Sequence, residues 1–359
     1  MVGLRLENIS KTVPGQSRIE GVSLNVEEGE LFVIAGPPGS GKSMILRMVA
    51  GLEMPDSGEI YLGNERITHL PPHSRGVSMV FQSLALYPNK TVLENIAFPL
   101  RVQKVADAEI KRRVKEVADF LRIDHILNKY PRFLSGGEQQ RVAVARAMIV
   151  RPKLFLFDQP LANLDAIIRV AMREEIRKIV KETGVTTLFV THENIEALSI
   201  ADRIGFMEYG RLVDVGTPHE FLSNPRDFRV ARYFSAVNSL QSDVELVDGK
   251  PCVTFVNQKV PLPANQLNSS KVIVAFNMND VMIDGNLGDS LGDGVIKARG
   301  EINMVEEHVR GRICFVRLSD DTEVKAYTEK RFELGQSVEI AIKRDKLYVF
   351  DAQTMARLI

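Results

Sequence analysis

The rhythm of apolar and polar positions along this chain changes once, near residue 235. Before that point short apolar runs alternate with stretches in which apolar side chains return every three or four residues. This is the texture of a domain whose parallel strands are buried on both faces by helices. Leu31-Phe32-Val33-Ile34-Ala35, Leu154-Phe155-Leu156-Phe157 and Thr187-Leu188-Phe189-Val190 predict buried strands. Residues 44–50 predict a helix, and Ile110, Val114, Val117 and Leu121 recur between charged residues as one face of another. From about residue 236 the runs are short and β-rich, at 243–247, 272–276, 312–316, 338–342 and 347–350. Gly and Asp-Gly turns separate them, so the second part predicts a small all-β barrel of the OB type. The expected fold class is α/β followed by an all-β OB-like domain, with boundaries 1–235 and 236–359 and a linker near Val237-Asn238-Ser239. Neither an internal repeat nor a low-complexity segment is visible.

Composition narrows the function classes. At 359 residues the chain has room for two domains with sizeable cores. Lys plus Arg and Asp plus Glu each number 46, so the net charge is zero and no basic field argues for a nucleic-acid partner. The longest apolar runs are strand-length, far short of the roughly 20 residues that span a bilayer, and no membrane-crossing segment is expected. Met1-Val2-Gly3-Leu4-Arg5 lacks the charged and apolar regions of a secretory signal. Cys252 and Cys314 are too few for a metal knuckle and read as reduced core or edge residues of a cytoplasmic protein.

Candidate chemistry enters at the end of the first buried strand. Gly36-Pro37-Pro38-Gly39-Ser40-Gly41-Lys42-Ser43 has the glycine spacing and Lys-Ser ending of a phosphate-cradling loop, set between a strand and a helix. Gly36, Gly39 and Gly41 permit a tight turn whose N–H groups converge on phosphate oxygens, and the helix start adds the positive end of its dipole. Lys42 then reaches the β- and γ-phosphates, and Ser43 holds Mg²⁺. The alternative is an ordinary glycine-rich turn with a solvated lysine, and the strand-to-helix setting argues against it. A second segment, Leu134-Ser135-Gly136-Gly137-Glu138-Gln139-Gln140-Arg141, opens a further predicted helix that continues through Val142 and Ala145.

Together the two segments resemble those of the ATP-binding cassette (ABC) ATPase family, and the resemblance covers nearly the whole chain. It implies a P-loop ABC ATPase domain with a helical subdomain at about 84–150, followed by a C-terminal regulatory (TOBE) domain of the MalK type. Val80-Phe81-Gln82 resembles the entry to the Q-loop, where Gln82 would contact Mg²⁺ and the attacking water. The stretch from Leu86-Tyr87-Pro88 through Asn95 to Leu100 would meet a transmembrane partner. Leu154-Phe155-Leu156-Phe157-Asp158 is similar to a Walker B strand, with Asp158 stabilising Mg²⁺. Ala162-Asn163-Leu164-Asp165 looks like the D-loop and puts Asp165 among the nucleotide-binding residues. Val190-Thr191-His192 looks like the switch motif, whose His192 would hydrogen-bond the γ-phosphate. In the family the signature segment does not reach the phosphate held by its own P-loop. Ser135, Gly136, Gly137 and Gln139 would therefore read the ATP bound by a second, head-to-tail subunit.

Finer matches at 47–53, 70–75 and 216–220, with the β-rich tail, resemble the MalK/UgpC-type carbohydrate-importer branch. That likeness implies a peripheral subunit on the cytoplasmic face of the inner membrane, using ATP and Mg²⁺. Its partners would be a second copy, two transmembrane permease subunits and, indirectly, an extracytoplasmic solute-binding protein.

Three departures stand out. Gln159 occupies the place of the family's catalytic glutamate, and an amide cannot accept the water's proton although it keeps the size and reach of the carboxylate. An engineered isosteric trap and a naturally degenerate site both explain it, and the intact Lys42, Asp158, Ser135 and His192 favour the trap. Val13 lies where an aromatic ring commonly stacks on adenine, with Arg18 as an alternative planar partner, and Met44 replaces a common threonine. The reading is an importer ATPase subunit impaired in hydrolysis. Its rivals are an ABC subunit that binds ATP without turnover and a soluble ABC protein of translation or repair.

Overall fold

The structure is a computed structural model and describes residues 2–12, 18–247, 250–255, 258–262, 270–284, 294–308 and 311–358. These form two compact units, Met1–His219 and Glu220–Ile359. In the first, β1 (Leu4–Lys11), β2 (Ile19–Val26), β4 (Ser57–Leu62) and β5 (Glu65–Arg66) make an antiparallel sheet in the order β2-β1-β4-β5. The second sheet is built from β3 (Leu31–Ala35), β6 (Val77–Val80), β7 (Leu154–Asp158), β8 (Thr186–Thr191), β9 (Arg203–Glu208) and β10 (Arg211–Gly216). Its order is β10-β9-β3-β8-β7-β6, parallel throughout except for the β9-β10 hairpin. Every residue of β3 and β8 is buried, which is why β3 is apolar throughout and β8 sets Leu188-Phe189-Val190 between buried threonines, neither showing an alternating pattern.

Helix α1 (Lys42–Ala50) lays Ile45, Leu46 and Val49 against Phe32, Ile34, Leu156 and Val190 in the main core of this unit. Between β6 and β7 the chain inserts α2 (Val92–Val102), α3 (Asp107–Phe120) and α4 (Gly136–Met148). Thr91 and Glu94 close a reciprocal capping box at the start of α2. On α3 the buried face is Ile110, Val114 and Ala118, with Val117 only half-buried. Helices α5 (Ala166–Thr183) and α6 (Asn194–Ile200) follow β7 and β8.

The division between units falls in α7 (Pro218–Ser223), earlier than the change of sequence texture. The next helix, α8 (Phe228–Phe234), packs Phe228 and Ala231 against Ala275 and Phe350. Val237-Asn238-Ser239, expected as a linker, is instead strand, paired with Asn277, Phe276 and Ala275. It opens β11 (Val237–Val247), which joins β12 (Lys250–Phe255), β13 (Gln258–Pro261), β14 (Lys271–Asn277) and β20 (Tyr348–Asp351) in the order β13-β12-β11-β14-β20. A second antiparallel sheet holds β15 (Val281–Asp284), β16 (Val295–His308), β17 (Gly311–Leu318), β18 (Glu323–Thr328) and β19 (Ser337–Lys343). Both sheets enclose one core that contains Val253, Phe276, Ile296, Cys314, Val324 and Ile340. Buried Asn238 clasps them together: its Nδ2 donates to the Lys325 carbonyl at 2.8 Å and its Oδ1 accepts from the Lys325 N–H at 2.7 Å.

Candidate functional site

The parallel strands end in register. Ala35 of β3 faces Thr191 of β8, and Val190 faces Asp158 of β7, so the loops after these strands open along one edge of the sheet. Ligands of open α/β sheets bind at this carboxyl edge. The loop after β3 turns into α1 at Gly41, whose φ of 95° is accessible to glycine at little cost. Lys42 is 4% exposed. Its ammonium donates to the carbonyls of Gly36 (2.8 Å) and Pro37 (2.7 Å) and to Ser40 Oγ (3.0 Å). Burial pushes its pKa down to about 8 against the opposing attraction of Asp158. Beside it the Ser43 hydroxyl donates to Asp158 Oδ1 at 2.7 Å. Burial raises the Asp158 pKa, while the Ser43 bond and the charges of Arg47 and Lys42 hold it back.

Gln159 follows Asp158 in the left-handed region, at φ 46°, anchored by its N–H to the Val190 carbonyl at 3.0 Å. A non-glycine residue in this conformation costs about 1–2 kcal/mol, so the neighbouring structure imposes it. The side chain meets the site's histidine: His192 Nδ1 lies 2.7 Å from Gln159 Oε1. A groove of about 540 Å³ joins these groups, lined by Pro38, Gly39, Gly41, Lys42, Ser43 and Met44, with Arg47, Gln159 and His192. Arg47 was missed by sequence reasoning, although its i,i+4 spacing from Ser43 on a helix puts both on one face.

The signature residues lie elsewhere. Ser135 is the exposed N-cap of α4, its Oγ accepting from the Glu138 N–H while Glu138 accepts from the Ser135 N–H. Gly136 and Gly137 form the first turn, and Gln139 Nε2 donates to the carbonyls of Pro131 and Leu134, both at 3.2 Å. None of these four lines the P-loop groove. Gln82 is exposed and, with Gly136, Gln139 and Leu164, lines a separate pocket of about 120 Å³, where its carbonyl accepts from Asn163 Nδ2. Asp165 caps α5 by accepting from the Ile168 N–H at 3.0 Å. Arg18 is exposed, 3.9 Å from Glu20 and away from the groove lining, and Val13 lies outside the described residues.

The side-chain oxygens of Ser43 and Asp158 suit a hard cation such as Mg²⁺, which binds through one or two protein oxygens plus phosphates and water. Among the described residues no cluster of three or more His, Cys, Asp or Glu could hold a metal without such help. Also among them, no helix is long and apolar enough to cross a membrane.

A P-loop, an acidic strand end and a histidine on one sheet edge define a nucleotide-hydrolysing P-loop domain. Comparison with known proteins narrows the class. Residues 19–162 match the ABC transporter family model. The trehalose/maltose import ATP-binding protein MalK of Thermococcus litoralis is 37% identical over 99% of both chains. The glucose import ATP-binding protein GlcV of Saccharolobus solfataricus is 36% identical over 98% of this chain and 99% of its own. The sn-glycerol-3-phosphate import ATP-binding protein UgpC of Vibrio vulnificus is also 36% identical, over 98% and 94%. A dimeric post-hydrolysis structure of the ATP-binding cassette MJ0796 with ADP and Pi superposes with a TM-score of 0.53 at 32% identity, covering 60% of this chain and 98% of that one. The chain belongs to the ATP-binding subunits of the ABC transporter family, whose activity is ATP hydrolysis.

Proposed function

We propose that this chain energises import of a carbohydrate or a related polar solute such as a polyol phosphate, and that Gln159 holds its ATP turnover down. The relatives named for trehalose/maltose, glucose and glycerol-3-phosphate import support the cargo class. The observation that carries the mechanism is the groove lined by Lys42, Ser43, Gln159 and His192, with Asp158 bonded to Ser43 beside it and Gln159 paired with His192. Lys42 would exchange its carbonyl and hydroxyl acceptors for β- and γ-phosphate oxygens, a charge-assisted contact stronger than those it replaces. Ser43 and Asp158 would hold Mg²⁺, which would supply positive charge at the phosphates, whereas Gln82 lines a separate pocket. His192 would meet the γ-phosphate, and residue 159 would take the water's proton if it were a carboxylate.

The exposed signature turn, apart from the P-loop groove, suits ATP held between two head-to-tail copies. The stretch from Gln82 to Leu100 is the candidate dock for a permease helix: Tyr87 is part-exposed, its ring tilted against Phe98 with centroids 4.6 Å apart. The chain would sit peripherally on the membrane through those permease subunits. Turnover of reconstituted complexes carrying Gln159 or Gln159→Glu tests the reading. Recovery of hydrolysis with glutamate supports a trapped ATPase, and equal rates support a subunit that is silent by nature.

A further inference from the structure

Behind His192 lies a polar network of residues outside the groove lining, and we propose that Arg169 and Glu196 are positioning residues that fix the His192 loop against the Asp165 loop. His192 and Glu193 are the only link between the end of β8 and the start of α6. The Thr191 hydroxyl, on a residue 1% exposed, donates to Glu196 Oε2 at 2.6 Å and accepts from the Glu193 N–H at 3.0 Å. Both neighbours of His192 are thus tied to one oxygen. Arg169, on α5, spans two loops: Nη2 donates to the Leu164 carbonyl at 2.9 Å, beside Asp165, and Nη1 lies 3.5 Å from Glu193 Oε1. The histidine so framed faces Gln159, whose own backbone hangs from Val190 on the same strand.

Two further atoms point to geometry, and not stability, as the reason for these residue types. Arg169 Nε and Glu196 Oε1 are buried and without hydrogen-bond partners, a donor and an acceptor of opposite charge. Glu196 is 3% exposed, and burial raises its pKa. A polar network with open members is less favourable than apolar packing of the same shape, so an apolar core would hold the fold at least as well. What apolar side chains lack is a directional grip on the turn that carries His192. The functional consequence rests on the assignment of His192 to the γ-phosphate, whereas the positional claim rests on geometry alone.

The test uses the full chain with ¹⁵N-labelled histidine, the His192 ring signal being assigned by its loss in His192→Asn. In Arg169→Met and Glu196→Leu the fold should persist, while the His192 ring signal moves. Glu196→Gln keeps an acceptor for Thr191 and should restore the parent signal, a rescue that a merely space-filling role does not give. If Glu196→Leu loses its fold, Thr191→Val removes the shared hydroxyl with little change of shape and gives the same readout. A His192 signal unmoved in both Arg169→Met and the Glu196 or Thr191 variant overturns the proposal. In a Gln159→Glu background the same variants should lower kcat by about tenfold or more with KM unchanged. If the ring signal moves but Gln159→Glu has no turnover to lower, the positioning inference stands and the trapped-ATPase reading falls.

Discussion

At residue 159 the proposed trap turns on one functional group, since a carboxylate can take the water's proton and an amide cannot. The amide can present either its oxygen or its nitrogen to His192 Nδ1, 2.7 Å away, whereas a carboxylate presents only acceptors. Gln159→Glu should therefore fix His192 as the Nδ1–H donor and supply the missing base. A positioned base contributes about 10²–10⁴-fold, and single-turnover ATP hydrolysis should rise by a comparable factor. Equal rates would sink the trap. Lys42 makes a second claim at this scale, in pH. Its drop from 10.5 to about 8 corresponds to a burial cost of about 3 kcal/mol for the charged form. Below pH 8 both folded and unfolded chains keep this proton and the cost is full. Between 8 and 10.5 the folded chain gives it up first, the unfolded state binds more protons, and stability rises with pH. ATP affinity should move the opposite way, falling above pH 8 as the phosphate loses its ammonium partner. Urea unfolding of nucleotide-free protein against Lys42→Met, across that window, checks the sign: the difference should narrow as pH rises, and a widening difference contradicts the burial argument.

Helix α1 carries Lys42 and Ser43 at the groove, and its far end is held by a residue from another loop. Arg75 is 1% exposed and has a fork of four bonds: Nη1 to Met48 (2.7 Å) and Val49 (3.1 Å), Nη2 to Thr68 (2.7 Å) and Nε to Leu70 (2.7 Å), all carbonyls. A cation at the last turn of a helix complements its dipole, and here it also satisfies carbonyls that the helix leaves open. Gly51 makes room, since a Cβ there would come within 2.5 Å of Arg75 Nε. Arg75→Met strands these acceptors and should cost roughly 2–4 kcal/mol. Chemical denaturation should show a lower midpoint at unchanged slope, and Arg75→Lys should recover little because an ammonium lacks the planar fork. An unshifted midpoint for Arg75→Met would rule out the capping role. Arg75 also shows where sequence reading stops. The segment 70–75 was legible as a branch resemblance, but its partners lie on another helix and loop, and no local pattern announces them. The P-loop was legible because its glycines and lysine answer backbone and phosphate demands within one turn. The buried strands were legible because two-sided burial leaves an apolar run without alternation. Asn238 misled, its polar tripeptide reading as a linker while its amide was in fact matched to the Lys325 backbone across the fold. Arg169 and Glu196 were equally silent, as ordinary charges on two separate helices.

At the scale of the whole molecule, the question is whether one chain completes its own phosphate site. Lys42 sits deep in a groove that none of Ser135, Gly136, Gly137 or Gln139 lines, and Ser135 caps an exposed helix start. If the site is shared, Lys42→Ala and Ser135→Ala damage opposite halves of it. Each variant alone should then fail to form a closed dimer with Mg-ATP. Mixed together they should recover, because the Ser135→Ala chain brings an intact Lys42 to the intact Ser135 of the Lys42→Ala chain. One of the two sites in the mixed dimer is whole and the other doubly defective, so closure should return in part. If each chain completed its own site, both members of the mixed pair would remain defective and nothing would return. Loss of the cap weakens α4 by about 0.5–2 kcal/mol but leaves the distant P-loop alone, so nucleotide binding by the Ser135→Ala chain serves as its control. Energy transfer between differently labelled variants, with and without Mg-ATP, reads the outcome directly. Closure by the mixture and by neither variant alone supports the shared site, and its absence from the mixture, with the unsubstituted chain closing under the same conditions, refutes it.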